Sequence, residues 1–90
     1  MDHVLPGLRA DVQFSRFAHE GVLYDAPRGL VHALNGTATF IAEHCDGHCT
    51  RDVLVAEMAR TYSDVDAAAL AEDIERTLHS FKELGLVAEA

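Results

Sequence analysis

Leu30-Val31-His32-Ala33-Leu34-Asn35-Gly36-Thr37-Ala38 is the point where the period of the chain changes. Up to Leu34 the residues suit a short extended strand. From Asn35 onward apolar side chains recur at Ala38, Ile41, Ala42 and Cys45, the spacing of one helical face. Asn35 or Thr37 can cap that helix, because a side-chain oxygen there accepts from the unpaired amides of the first turn. Gly47 is the expected stop. A strand that gives way to a helix at this point divides the chain into a strand-rich first third and a helical remainder.

Toward the N-terminus, Val12-Gln13-Phe14-Ser15-Arg16-Phe17 alternates apolar with polar, the signature of a half-buried strand. Gly21-Val22-Leu23-Tyr24-Asp25 is rich in β-formers and makes a second strand. Asp25-Ala26-Pro27-Arg28-Gly29 supplies the turn into the third. Residues 1–10 contain Pro6 and Gly7 and hold no sustained period, so a flexible arm is expected there, ahead of a single folded domain over 11–90.

Toward the C-terminus, Thr50 is the next cap, with Asp52 in the first turn where the helix dipole favours an acid. Leu54, Val55, Met58, Ala59 and Tyr62 form one stripe on that helix. Ser63 or Asp64 is expected to open a longer third helix with the stripe Ala67, Leu70, Ala71, Ile74, Leu78, Phe81 and Leu84. Gly85 closes it, and Leu86 and Val87 continue as an extended tail. The expected fold is therefore α+β, a three-stranded antiparallel sheet followed by three helices. Helices two and three would form a winged helix-turn-helix pair. Its expected core holds Leu34, Ala38, Ile41, Leu54, Met58, Ile74, Leu78 and Phe81.

Composition bounds the function. Ninety residues, 49% of them hydrophobic, support one domain that folds unaided. No apolar run approaches the roughly 18 residues of a membrane-spanning helix. Met1-Asp2-His3 lacks the basic start of a secretory signal, so a cytoplasmic location is expected. The net charge is −8, and residues 64–90 hold seven acids against two bases. A winged-helix DNA-binding regulator is the alternative that this shape offers. Its third helix would need a basic outer face, yet here that face carries Asp66, Glu72, Asp73, Glu75, Arg76, His79 and Glu83.

The densest polar cluster is His44-Cys45-Asp46-Gly47-His48-Cys49. Two His and two Cys invite a zinc reading, but structural zinc sites pair two short ligand spacings across a longer loop, and Cys45 lies on the apolar stripe. No metal and no cofactor is expected. A disulfide between Cys45 and Cys49 does not suit a reducing compartment. There is no phosphate-binding glycine loop, no nucleophile elbow and no His-Glu-x-x-His. Asp73 and Glu75, two apart, do not share a helical face. A catalytic role is not expected.

Val22-Leu23-Tyr24-Asp25, the turn with Gly29, and Val31-His32-Ala33-Leu34-Asn35 together resemble the "v-l-y-d … h-x-L-N" signature of the PqqD-like family. These are recognition elements for ribosomally made, post-translationally modified peptides. The likeness continues through Thr37-Ala38, Ile41, Cys45-Asp46-Gly47, Thr50 and Tyr62 to Asp73-Ile74, Leu78 and Leu84-Gly85-Leu86. It covers about residues 12 to 87. The resemblance implies a binder of the leader segment of a precursor peptide. It would present the core segment to a modifying enzyme, such as a radical SAM protein or a leader peptidase with its cyclase. It also implies that the leader adds as a strand beside the third strand and lies against the third helix, a mode that draws affinity from backbone hydrogen bonds. Carried over by position, Leu30, Val31, His32 and Ala33 would supply the backbone groups, and Ile74, Thr77, Leu78 and Phe81 the groove wall. The alternative is that Ile74, Leu78 and Phe81 are purely core and His32 an ordinary half-exposed strand residue.

Overall fold

The computed structural model describes residues 4–88. In it the chain runs β1 (Val12–Phe17), β2 (Glu20–Asp25), β3 (Leu30–Leu34), α1 (Gly36–Glu43), α2 (Arg51–Thr61) and α3 (Ala67–Glu83). The fold is α+β, three antiparallel strands followed by three helices, and its layout is like that of a winged helix. The sheet order is β1-β2-β3, so β1 and β3 are both edges. Register aligns Val12 with Asp25 and Leu30, Phe14 with Leu23 and His32, and Arg16 with Gly21 and Leu34. Directly opposed residues share a face of a sheet. Val12, Leu23, Asp25 and Leu34 are buried, so this shared face is the one that meets the helices. Gly21 lets α1 approach it closely. A Cβ there would stand 2.9 Å from Thr39 Oγ1 and 3.1 Å from Phe14 Cε1.

The caps fix the helices. Asn35 Oδ1 accepts from the Ala38 amide at 2.8 Å, so Asn35 rather than Thr37 opens α1. That helix stops at Glu43, before Gly47, because the His44 and Cys45 amides turn back to the carbonyls of Ile41 and Ala42. Thr50 Oγ1 accepts from the Val53 amide at 3.2 Å and caps α2. α3 opens at Ala67, later than Ser63 or Asp64, because residues 62–66 form a turn closed by the Val65 amide on the Tyr62 carbonyl. At its far end Gly85, at φ +69°, takes the left-handed conformation. The Leu86 amide then reaches the Phe81 carbonyl at 2.9 Å and the Gly85 amide reaches that of Lys82 at 3.0 Å. This pair of bonds satisfies carbonyls that a helix end otherwise leaves open.

Seven of the eight expected core residues are buried. Ala38 is only half-buried, and Thr39, its neighbour on α1, is the residue packed beneath the sheet. The α3 stripe narrows to Leu70, Ile74, Leu78 and Phe81, leaving Ala67, Ala71 and Leu84 exposed. From Val4 onward the segment expected to be a flexible arm lies against the domain. Leu5 is 2% exposed and belongs to the core. Its amide donates to the Cys49 carbonyl at 2.8 Å, the Leu8 amide to Cys45 at 2.9 Å and the Ala88 amide to Gly7 at 2.8 Å. The segment has no period because it docks on isolated partners, Val4 with Thr50 and Leu8 with Val87, rather than along one strand. Residues 1–3 lie outside the described residues.

Candidate functional site

Between the free edge of β3 and the side of α3 runs an open groove of about 440 Å³. Its lining comes from Val31, His32, Ala33 and Leu34 on the strand side, from Ala38, and from Thr77, Ser80, Phe81, Leu84 and Leu86 on the helix side. None of these residues is Asp, Glu, Lys or Arg. Five of the eight residues inferred from sequence meet here: Val31, His32, Ala33, Thr77 and Phe81. Leu30 begins the same strand but does not line the groove. Ile74 has no exposed surface and lies in the core beneath. Leu78 faces a second concavity on the other side of α3, which it shares with Leu5, Pro6 and Gly7 of the N-terminal segment. One residue of helix turns the side chain by about 100°, so Thr77 and Leu78 face different ways.

Ser80, Leu84, Leu86, Ala38 and Leu34 were not among the inferred site residues. Part of their signal is present in the sequence. Thr77, Ser80, Phe81 and Leu84 stand at i, i+3, i+4 and i+7, which is one helical face. Leu84 stood on the apolar stripe, and its 43% exposure marks it as a groove residue rather than a core one. Leu86 is brought in by the turn after Gly85, which no spacing rule reveals.

The strand side has two kinds of residue. Val31 and Ala33 direct their side chains to the outer face of the sheet, where both are exposed, so they meet the groove mainly along the strand edge. His32 shares the inner face with Leu23 and Leu34 and turns its ring toward the helices. Its Nε2 is sealed from solvent and has no hydrogen-bond partner. Thr77 and Ser80 stand across the groove from it.

One end of the groove is held by an ionic clip. Asp25 is fully buried, with a carboxylate oxygen 3.5 Å from Arg28 Nη1 and 3.8 Å from Arg9 Nη1. Arg28 also donates to the Leu84 carbonyl and Arg9 to that of Gly85. The hydrogen bond from Arg9 holds the Asp11 carboxyl below its ordinary range.

The His/Cys cluster lies elsewhere, around the end of α1. Burial, with smaller help from Cys49 and Asp46, pushes the Cys45 thiol up to about 12. Cys49 is also raised, first by burial. Asp46 accepts from the amides of His48 and Cys49, which lowers its carboxyl, so it acts as the loop's own turn former. His44 stacks on Phe40 at 4.7 Å between ring centroids. Among the described residues no group of three or more His, Cys, Asp or Glu side chains converges as a metal site would require. On the outer face of α3 three of the acids sit in surface pairs, Asp73 with Arg76, Glu83 with His79, and Glu75 with Arg51 of α2. No helix of the described residues is long and apolar enough to cross a membrane.

The described residues form a small α+β domain with two concavities flanking its last helix, the groove beside the β3 edge and a larger one of about 890 Å³ against the N-terminal segment. The family model of coenzyme PQQ synthesis protein D (PqqD) matches residues 20–87, and the chain belongs to that family. Among solved structures it is similar to TbiB1 in complex with the TbiA(beta) leader peptide. The TM-score is 0.82 over 93% of this chain and 96% of that one, at 18% identity, which is a likeness of fold. No curated protein matches the chain.

Proposed function

We propose that this protein is a non-catalytic recognition element. It takes the leader segment of a ribosomally synthesised precursor peptide as a fourth strand beside β3 and presents the remainder to a modifying enzyme in the cytoplasm. A radical SAM protein or a leader peptidase with its cyclase is the class of enzyme such a module serves. The observation that carries this reading is the position of β3. An edge strand leaves a row of amides and carbonyls unpaired, which invites pairing with another chain. Here that edge runs along an apolar groove walled by α3. Membership of the PqqD family supports the reading, as does a fold shared with a protein solved with a leader peptide bound. The acidic α3 face gives no support to phosphate binding.

Ladder groups alternate between the two sides of a strand, so either the Leu30 or the Val31 amide faces the free edge. Proline removes that donor. Calorimetry with a synthetic leader peptide, taken from a precursor gene sought beside this one, on Leu30→Pro and Val31→Pro checked by circular dichroism, tests the reading. One folded variant should lose most of its affinity. Full affinity in both would exclude strand addition at this edge.

A further inference from the structure

We infer that the outer face of the sheet also reads the peptide, selecting a β-branched or aromatic side chain opposite Val31 and a second apolar one opposite Ala33, two residues along. This deepens the peptide-binding reading and rests on it. Side chains of a strand alternate between the two faces of its sheet. A peptide added beside β3 therefore turns every second side chain toward the groove and the others to the outer face. On that face Gln13, Ser15, Tyr24, Val31 and Ala33 are all exposed.

The register sets Gln13, Tyr24 and Val31 in one row across the outer face and Ser15, Val22 and Ala33 in the next. Both rows are polar at β1 and apolar at β3, so the apolar end of each is the end where a strand would add. Val31 is 64% exposed and Tyr24 beside it 39%. Phe17 is as exposed as Val31, but it lies opposite Glu20, beyond the register of β3. Edge strands are commonly blunted by charge or proline. β3 has no Lys, Arg, Asp, Glu or Pro, so its outward side chains are left open to a partner strand. A residue directly opposite Val31 holds its Cβ about 5 Å away, and aromatic and β-branched pairs are among those that stabilise a sheet. Ala33 is small and stands beside half-buried Val22, which leaves room for a larger apolar side chain opposite it.

Selection of a random peptide library by messenger RNA display tests this, run in parallel on the wild type, Val31→Lys and Ala33→Lys, each checked for folding by circular dichroism. A lysine on an exposed edge is common in native sheets. Peptides enriched on the wild type should share two apolar positions spaced two apart, one of them β-branched or aromatic. On Val31→Lys that one should turn to Asp or Glu, because opposite charges pair across strands. On Ala33→Lys the other position should turn acidic instead, and the residue between the two should keep its preference on both variants. Should neither lysine variant fold, the wild type decides. Replacing the residue opposite Val31 by Ala in a selected peptide should weaken binding by up to about fivefold, the scale of one cross-strand pair. A wild-type pool without the two spaced apolar positions, a folded lysine variant that selects the wild-type pattern, or an unchanged affinity of the Ala peptide overturns the inference and leaves peptide binding standing. Enrichment of no peptide on any of the three proteins overturns peptide binding and this inference together.

Discussion

The Arg28 guanidinium donates to the Leu84 carbonyl at 2.6 Å and joins the β2–β3 turn to the end of α3, 56 residues away. Arg9 makes the matching bond to Gly85 at 2.7 Å, and the two cations flank the buried Asp25. Cations suit the negative end of a helix. They also offset a carboxylate that accepts no hydrogen bond of its own. Because Leu84 lines the groove, the clip sets the spacing between β3 and α3 at that end.

Removing one arm of the clip should cost little. The Arg28 side chain is half exposed, so Arg28→Ala should lower stability by about 1 kcal/mol. Removing both cations strands the buried carboxylate, so Arg9→Ala with Arg28→Ala should cost more than the two single changes summed. Asp25→Asn in that double background should restore part of the loss. Urea denaturation of the series measures all three, and simple additivity of the two arginine changes would show that Asp25 is not what couples them.

Leu5 provides a sharper test of the N-terminal segment. If it is the core residue its burial implies, Leu5→Ala should destabilise by about 2–5 kcal/mol. A loss below about 1 kcal/mol would restore the flexible arm.

The order of elements was legible in the sequence because each has its own period and its own cap. Val12–Phe17 alternates, Asn35 and Thr50 cap, and Gly85 stops α3. Contacts between distant segments were not legible. The Leu5 amide bonds the Cys49 carbonyl while Val4 and Leu8 bridge to Thr50 and Val87, all more than forty positions away, and no local pattern encodes that. The groove was half legible. Thr77 and Phe81 could be placed on α3, but one apolar stripe serves both core and groove. Which way Ile74 and Leu78 turn depends on the helix's rotation against the sheet, which periodicity alone leaves undetermined.

The two thiols should differ in reactivity. Cys45 is buried and raised to about 12, whereas Cys49 is partly exposed and raised less far above the usual thiol range. Ellman's reagent at about pH 8 should modify Cys49 more slowly than a free thiol and leave Cys45 untouched until urea is added. A stability consequence follows. The unfolded Cys45 thiol ionises near 9 and the folded one near 12, so the folded state holds its proton more tightly. Its contribution is complete below about pH 9 and is lost as pH rises toward 12. The stability difference between the wild type and Cys45→Ala should therefore shrink with rising pH, and a constant difference would contradict the burial of this thiol.

Phe81 and Leu78 separate core from groove. Both are nearly buried on α3, but Phe81 forms part of the groove lining and Leu78 faces the concavity on the opposite side. Leu78→Ala should cost about 2–5 kcal/mol of stability, as large-to-small core changes do. In whatever fraction remains folded it should leave peptide affinity nearly unchanged. Phe81→Leu keeps most of the apolar volume and should cost roughly 1 kcal/mol, yet it alters the surface a bound peptide would touch. Phe81→Ala, by contrast, should cost about 3–5 kcal/mol and confound the two effects. Calorimetry with a bound leader, corrected for folded fraction by circular dichroism, would compare the first two variants. Affinity should fall for Phe81→Leu and hold for Leu78→Ala. The reverse order would place the peptide in the Leu5–Leu78 concavity and move the functional face to the other side of α3.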